Sequence, residues 1–234
     1  GVEARLAKMA HKQIEDSIEF LFLKARLRVY QDGFLSAFSV FQEQLKSQNK
    51  TVKLAGMYGS IFSLIVSKDL NLMNLERARD TLDFLLNVEP DHPMLLSLLA
   101  DFERLFGDQK IAAAVYNDAL ARYPFRKSLV YGYAELLLSS NRYEELESMA
   151  SALLLTDTTK NPKLYEFRAK AYRGLGEKMA MHRDYGEVLA LTGNLVGAIK
   201  ELLLAQKATD GDFFLQTSVA SRLKELKEIQ KALR

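Results

Sequence analysis

The sequence predicts an all-α chain in which helical hairpins stack one on the next, an α-solenoid. Three observations carry this. Small and large residues recur between Ala100 and Pro124 in a register that pairs helices. The four prolines, Pro90, Pro93, Pro124 and Pro162, all fall where helices should start or stop. No stretch alternates strictly enough to read as a strand. The register has a steric meaning. Ala100 and Ala112 belong where two helices cross and a larger side chain would push the axes apart. Gly107 is expected to turn the chain between them at positive φ. Tyr116 fills the gap beside the small residues, and Pro124 ends the second helix.

Taken together, Ala100, Gly107, Ala112, Tyr116, Ala119 and Pro124 resemble a tetratricopeptide repeat, a helix–turn–helix unit of about 34 residues. That unit serves as a ruler. Forward, Val130, Tyr133, Ala134 and Leu137 make the stripe of the next helix, followed by a looser helix, about Tyr143 to Leu155, with Leu146 and Ala150. Backward, Ala78, Leu82, Leu85 and Pro90 mark a second helix whose partner is the apolar segment Val52 to Ser67, with Tyr58-Gly59 packing. Lys68 to Asn74 is too long for a standard turn and is expected to be a loop. Ala25, Ala37 and Phe41 mark the first unit, turning at Asp32-Gly33. Late in the chain Tyr185-Gly186, Leu189, Gly193, Ala198, Leu202 and Ala205 restore the register. Before them lies one helix, about Lys163 to Leu175, that finds no partner by this ruler and is expected to be unpaired.

The expected organisation is therefore a tetratricopeptide-repeat superhelix with extra non-repeat helices and a C-terminal capping helix. Residues 1–14 read as a short charged helix outside the repeats, 15–208 as the array and 209–234 as an amphipathic helix. In that last helix Val219, Leu223, Leu226, Ile229 and Leu233 share one side, and Lys224, Glu225, Lys227, Glu228 and Lys231 the other. Arrays need capping, because each unit exposes an apolar face until a neighbour covers it.

Composition narrows the function. The 234 residues are 48% hydrophobic and 26% charged, with a net charge of +2. Interspersed charges argue against a nucleic-acid surface, which shows a basic excess on one face. There is no cysteine, so disulfides and thiolate metal sites are excluded. No apolar run reaches the roughly 18 residues of a membrane span. The chain opens on Gly1, which reads as the edge of an excised fragment whose leader could have been removed.

No catalytic motif is present. His11, His92 and His182 lack the four-residue spacing that lets two imidazoles reach one zinc ion. His11 and Glu15 read as a surface pair, His92 as a turn residue between Asp91 and Pro93, and His182 as solvent-facing or groove-lining. Gly-x-Ser-x-Gly and a cysteine nucleophile are absent. The chain is thus expected not to be an enzyme and to bind no cofactor or metal. Its first helices should instead line a protein-binding groove. By the ruler the groove offers Arg26 and Tyr30, then Asp101 and Arg104, then Tyr131 and Glu135, then Arg183 and Glu187. Acid, base and tyrosine suit a polar surface with aromatic anchors. Clustered Lys and Asn, as needed to grip the C-terminal carboxylate of a peptide, are missing; Ser97, Asp101 and Glu135 stand there instead.

One resemblance goes further. The segment Tyr185-Gly186-Glu187-Val188-Leu189-Ala190-Leu191-Thr192-Gly193-Asn194-Leu195-Val196-Gly197-Ala198-Ile199, with Asp212-Phe213-Phe214 and Ser221-Arg222-Leu223, resembles the C-terminal end of periplasmic β-barrel assembly-enhancing zinc metalloproteases (BepA/YfgC-like). Glu3-Ala4-Arg5-Leu6-Ala7 is similar to the helix that leaves their peptidase domain, and Ser17 to Arg28 to their first repeat helix. Ala220-Ser221 departs from the acidic residue and alanine that often precede the terminal arginine there. The resemblance implies a periplasmic location, outer-membrane protein assembly machinery or clients as partners, contact with its own peptidase domain, and zinc only in that missing domain. The alternative is a freestanding tetratricopeptide adaptor, dimeric through its last helix.

Overall fold

Twelve helices account for 81% of the described residues of the computed structural model, which describes residues 17–156 and 158–233. They are α1 (Ile18–Asp32), α2 (Phe34–Gln44), α3 (Lys50–Ser67), α4 (Leu75–Val88), α5 (Pro93–Phe106), α6 (Gln109–Arg122), α7 (Lys127–Ser139), α8 (Tyr143–Thr156), α9 (Pro162–Leu175), α10 (Lys178–Leu191), α11 (Leu195–Lys207) and α12 (Phe213–Ala232). Among the described residues there is no strand. The short helix expected over residues 1–14, with His11 and Glu15, lies outside the described residues. Two compact units divide the chain between Gly132 and Tyr133, within α7.

Local chemistry explains where the helices begin. A free backbone N–H at a helix start is met by the side chain of Ser17, Asn49, Asn74, Asp108, Asn161, Asn194 or Asp212, each of the residue types preferred there. Pro93 and Pro162 occupy the first turns of α5 and α9, where the missing N–H costs nothing. His92 caps α5 in the same way: its Nδ1 accepts from the Met94 N–H at 3.2 Å. That requires a neutral imidazole. Burial holds the His92 pKa below its ordinary value, against the raising influence of Glu19 and Glu89. A histidine with a lowered folded-state pKa contributes stability above its unfolded pKa of about 6.5, and that contribution is lost as pH falls below it. We expect the thermal midpoint to drop between pH 7.5 and pH 5.5, and His92→Asn, which keeps a capping acceptor, to remove part of that drop. Equal drops in both proteins would assign the pH dependence elsewhere.

The first unit is built around aromatic rings. Phe22 of α1 stacks on Tyr58 of α3 at 4.3 Å between centroids, and His92 meets Phe22 edge-on at 5.3 Å. Helix α3 is buried from Leu54 to Ile65 except at Met57, which is partly buried, and it is the hub on which α1, α2, α4 and α5 pack. Its glycines let α2 approach: a Cβ on Gly59 would stand 2.6 Å from the Phe41 ring, and one on Gly56 3.0 Å from the Phe41 carbonyl oxygen. Lys68, in the left-handed region at φ 57°, closes α3 and opens the expected loop to Asn74. At the first turn a single residue, Gly33 at φ 80°, joins α1 to α2.

The α5–α6 hairpin follows the ruler, with Ala100, Ala112, Tyr116 and Ala119 fully buried. Leucine at position 112 should therefore overpack the crossing and cost about 1–3 kcal/mol; an unchanged urea midpoint would refute that packing. The reason expected for Gly107 is corrected. Its φ is −125°, not positive. What demands glycine is Glu103, whose Oε2 would lie 2.0 Å from a Cβ at position 107. This carboxylate is buried over the turn, where it pairs with Arg79 at 2.7 Å and accepts from the Asp108 N–H at 3.2 Å.

In the second unit, α9 is not solitary: it packs against both α8 and α10, and Gly174 lies directly against the Tyr143 ring of α8. Helix α10 lacks a side-chain cap of its own. Asp210, from the α11–α12 connection, supplies it by accepting from the Lys178 and Met179 N–H groups. Helix α12 covers α11 with Leu223 and Leu226 on Ala198, Ile199 and Leu202, while Val219 meets Met179 and Ala205. Its apolar stripe is covered only in part. Ile229 is 42% exposed and Leu233 77%.

Candidate protein-binding surface

Three helices of the first unit present their first-helix positions side by side, because α3 lies against both α1 and α5. From α1, Arg26 points across to α3. Its Nε donates to the Tyr58 hydroxyl, and its guanidinium carbon sits 4.7 Å from the Phe62 ring centre. Tyr30, one turn further along α1, meets Phe62 edge-on at 5.8 Å and is 69% exposed. The result is an arginine framed by three rings, two buried and one open to solvent.

From α5, Asp101 accepts a hydrogen bond from the Tyr116 hydroxyl at 2.6 Å and from Arg104 Nη2 at 3.1 Å. Burial pushes the Tyr116 pKa up, and the Asp101 charge raises it further, so the phenol remains a donor. The Tyr116 hydroxyl reaches α7, where a Cβ on Gly132 would come within 2.4 Å of it. Tyr131, half-buried, stands next to that contact. The structure thus brings Arg26, Tyr30, Asp101, Arg104 and Tyr131 into one unit, on helices that touch in sequence.

The remaining candidates belong to the second unit. Glu135 is half-buried on α7. Arg183 holds the fully buried Asp184 beside it, with Nη2 at 2.8 Å. Glu187 accepts from Arg222 Nε at 2.8 Å and Nη2 at 3.0 Å, which fastens α12 to α10. Glu187 is thus engaged in holding two helices together, and Arg183 in an ion pair within α10. His182 likewise pairs with Glu201 at 2.8 Å, across α10 and α11. An open cleft of about 540 Å³ lies between α11 and α12, bordered by Met179, Gln206, Phe213, Thr217 and Val219.

Sequence reasoning missed Phe62 and the partnership of Tyr58 with Arg26. The available signal was spacing: Tyr58 and Phe62 are one turn apart on α3, as Arg26 and Tyr30 are on α1. Among the described residues no group of three or more His, Asp or Glu could hold a metal ion, and no helix is long and apolar enough to cross a membrane.

No protein-family model matches the chain. No curated protein matches its sequence either. Solved structures do match its fold. A tetratricopeptide repeat protein from Parabacteroides merdae aligns over 96% of this chain and 89% of its own, with a TM-score of 0.51 at 15% identity. A MamA double mutant (MamA RS-1 ArsTM) aligns over 74% of this chain and 96% of its own, with a TM-score of 0.47 at 17% identity. The chain has the all-α tetratricopeptide-repeat fold.

Proposed function

We propose that this chain is a protein-binding scaffold whose contact surface is the α1–α3–α5 face of the first unit. The observation that carries this is the ring-framed Arg26 beside exposed Tyr30, with Asp101 and Arg104 on the neighbouring helix. Tyrosine and arginine are the residues that most often dominate binding energy at interfaces. The fold supports the same reading, since repeat arrays of this kind present such faces to other proteins.

The resemblance of residues 185–199 supports a finer proposal. On it, the chain serves a periplasmic zinc metallopeptidase, recruiting or regulating clients of outer-membrane protein assembly. Capture from cell-envelope extracts tests both levels, with the whole chain and its Tyr30→Ala variant as baits. Recovery of outer-membrane assembly components by the wild type, weakened in the variant, is expected. Recovery of only cytosolic proteins would refute the envelope role, and equal recovery by both baits would refute the surface.

A second reading, a freestanding adaptor that dimerises through α12, is favoured by the exposed Phe213, Phe214, Ile229 and Leu233. Sedimentation across a wide concentration range decides it; a monomer throughout leaves α12 as a cap.

A further inference from the structure

The proposed binding face carries a positive charge that nothing among the described residues of the first unit answers. Arg26 spends its Nε on the Tyr58 hydroxyl, and its Nη2 is buried without a partner. Tyr58 offers no counter-charge: burial pushes its pKa up to about 12, although Arg26 pulls the other way. Asp101 is the carboxylate whose charge Arg26 feels, and it is already bound by Tyr116 and Arg104. Two guanidinium groups therefore share one carboxylate. Their sum is one positive charge, largely withdrawn from water. Buried charges are ordinarily paired, since an unpaired one is costly.

The neighbouring helix shows the same deficit. Arg104 Nε and the fully buried Ser97 Oγ, both on α5, are also buried without partners. Arg26 Nη2 and Arg104 Nε can only donate, and the Ser97 hydroxyl can donate as well as accept; the remaining buried side-chain atom without a partner among the described residues, Gln44 Oε1, is an acceptor on α2. A face with spare donors and a spare positive charge is complementary to a group that only accepts and carries one negative charge. A carboxylate is that group; a phosphate dianion would over-compensate a single charge.

Resting on the reading of this face as a protein-docking surface, we infer that Arg26 is the receptor for one acidic side chain, Asp or Glu, of a bound protein segment. The carboxylate takes the free Nη2 of Arg26 in a charge-assisted hydrogen bond. Phe62 and Tyr30 frame it and accept an apolar neighbour in the segment. Tyr30, 69% exposed and edge-on against Phe62, is the wall of this site that is free to move. This differs from gripping a chain-terminal carboxylate, for which the face lacks clustered Lys and Asn. One internal acidic residue is read instead.

The test uses the whole chain, isotopically labelled for NMR, and two capped peptides that carry no terminal charge. One is acetyl-Gly-Phe-Glu-Phe-Gly-amide, and the other is its Gln twin. The Glu peptide should shift the Arg26 Nε–H and the Phe62 ring resonances saturably. The Gln twin should bind about tenfold more weakly, the size of one lost charge-assisted bond. Arg26→Gln should abolish the difference between the peptides. Tyr30→Ala, an exposed change that leaves the core intact, should weaken the Glu peptide several-fold. Equal affinity for both peptides, binding of neither, or shifts confined to other residues overturns the inference. Capture of clients from envelope extracts separates the two failures. If Arg26→Gln and wild-type baits recover the same clients, the acidic receptor falls while the docking face stands. If neither recovers any, the docking face falls too.

Discussion

Phe41→Ala is expected to destabilise the first unit by about 3–5 kcal/mol, the range for truncating a buried aromatic ring. Phe41 is 1% exposed. Its ring lies directly on Gly59, where a Cβ would come within 2.6 Å of Cε1 and Cζ. The ring and the glycine together set how closely α2 approaches α3, so neither residue can change without the other responding. Gly59→Ala alone gains about 1 kcal/mol of helix propensity but overpacks at a cost of about 1–3 kcal/mol, for a net loss of at most roughly 2 kcal/mol. In the double variant the alanine methyl moves into space the ring has vacated. The combined cost should then fall below the sum of the single costs, by roughly 0.5–3 kcal/mol. Urea unfolding of the four proteins in this cycle measures the coupling. Strict additivity would show that the two residues do not meet.

That pair illustrates what was legible in the sequence. The small residues that position helices, Ala25, Ala37, Ala78, Ala100, Ala112, Ala134 and Ala198, could be placed because steric exclusion at a helix crossing leaves a mark on residue size. The four prolines and the loop after Ser67 could be placed for similarly local reasons. Gly107 marks the boundary. Its location in the turn was readable, but its cause was not, because Glu103 near a helix end looks like a surface charge. Only the fold shows that Arg79, a repeat earlier, neutralises it and that the Asp108 N–H needs it. Helix α9 seemed partnerless because Leu164, Phe167, Ala169 and Ala171, all buried, pack it without the spacing of the ruler.

The candidate surface divides the same way. Arg26, Tyr30, Asp101 and Arg104 follow from helical periodicity, which puts them on the faces of first helices. Tyr58 and Phe62 read as core, and so they are, yet their ring faces also hold Arg26. Glu187 was readable as a polar position but not as the anchor for Arg222, 35 residues later. Pairing between helices far apart in sequence depends on the packing that brings them together, and no spacing rule encodes it.

The second large effect should come from such a pairing. Asp184 of α10 is fully buried and accepts from Arg168 Nε at 2.6 Å and Nη2 at 3.0 Å. It also accepts from Arg183 Nε at 2.9 Å. Arg168 Nη1 continues the network to Ser151 Oγ at 3.1 Å. Ser151 donates in turn to Glu147, which also accepts from the Tyr172 hydroxyl at 3.0 Å. Helices α8, α9 and α10 are thus joined through one network, in which Asp184 is the carboxylate that ties α10 to α9. Asp184→Ala leaves the Arg168 guanidinium, on a side chain only 14% exposed, without its carboxylate. Breaking a buried pair by removing one partner costs about 3–5 kcal/mol, most of it from the charge left behind. If that is the cause, removing the charge as well should repair the damage. The Asp184→Leu, Arg168→Leu double variant should be more stable than Asp184→Ala, because apolar residues can replace a buried pair at little cost. The loss in Asp184→Ala should also persist in high salt, which screens surface charges but hardly reaches buried ones. Thermal and urea unfolding of the wild type and the two variants reads both comparisons. A double variant no better than Asp184→Ala would mean that the network holds these helices by its hydrogen bonds rather than by balancing charge.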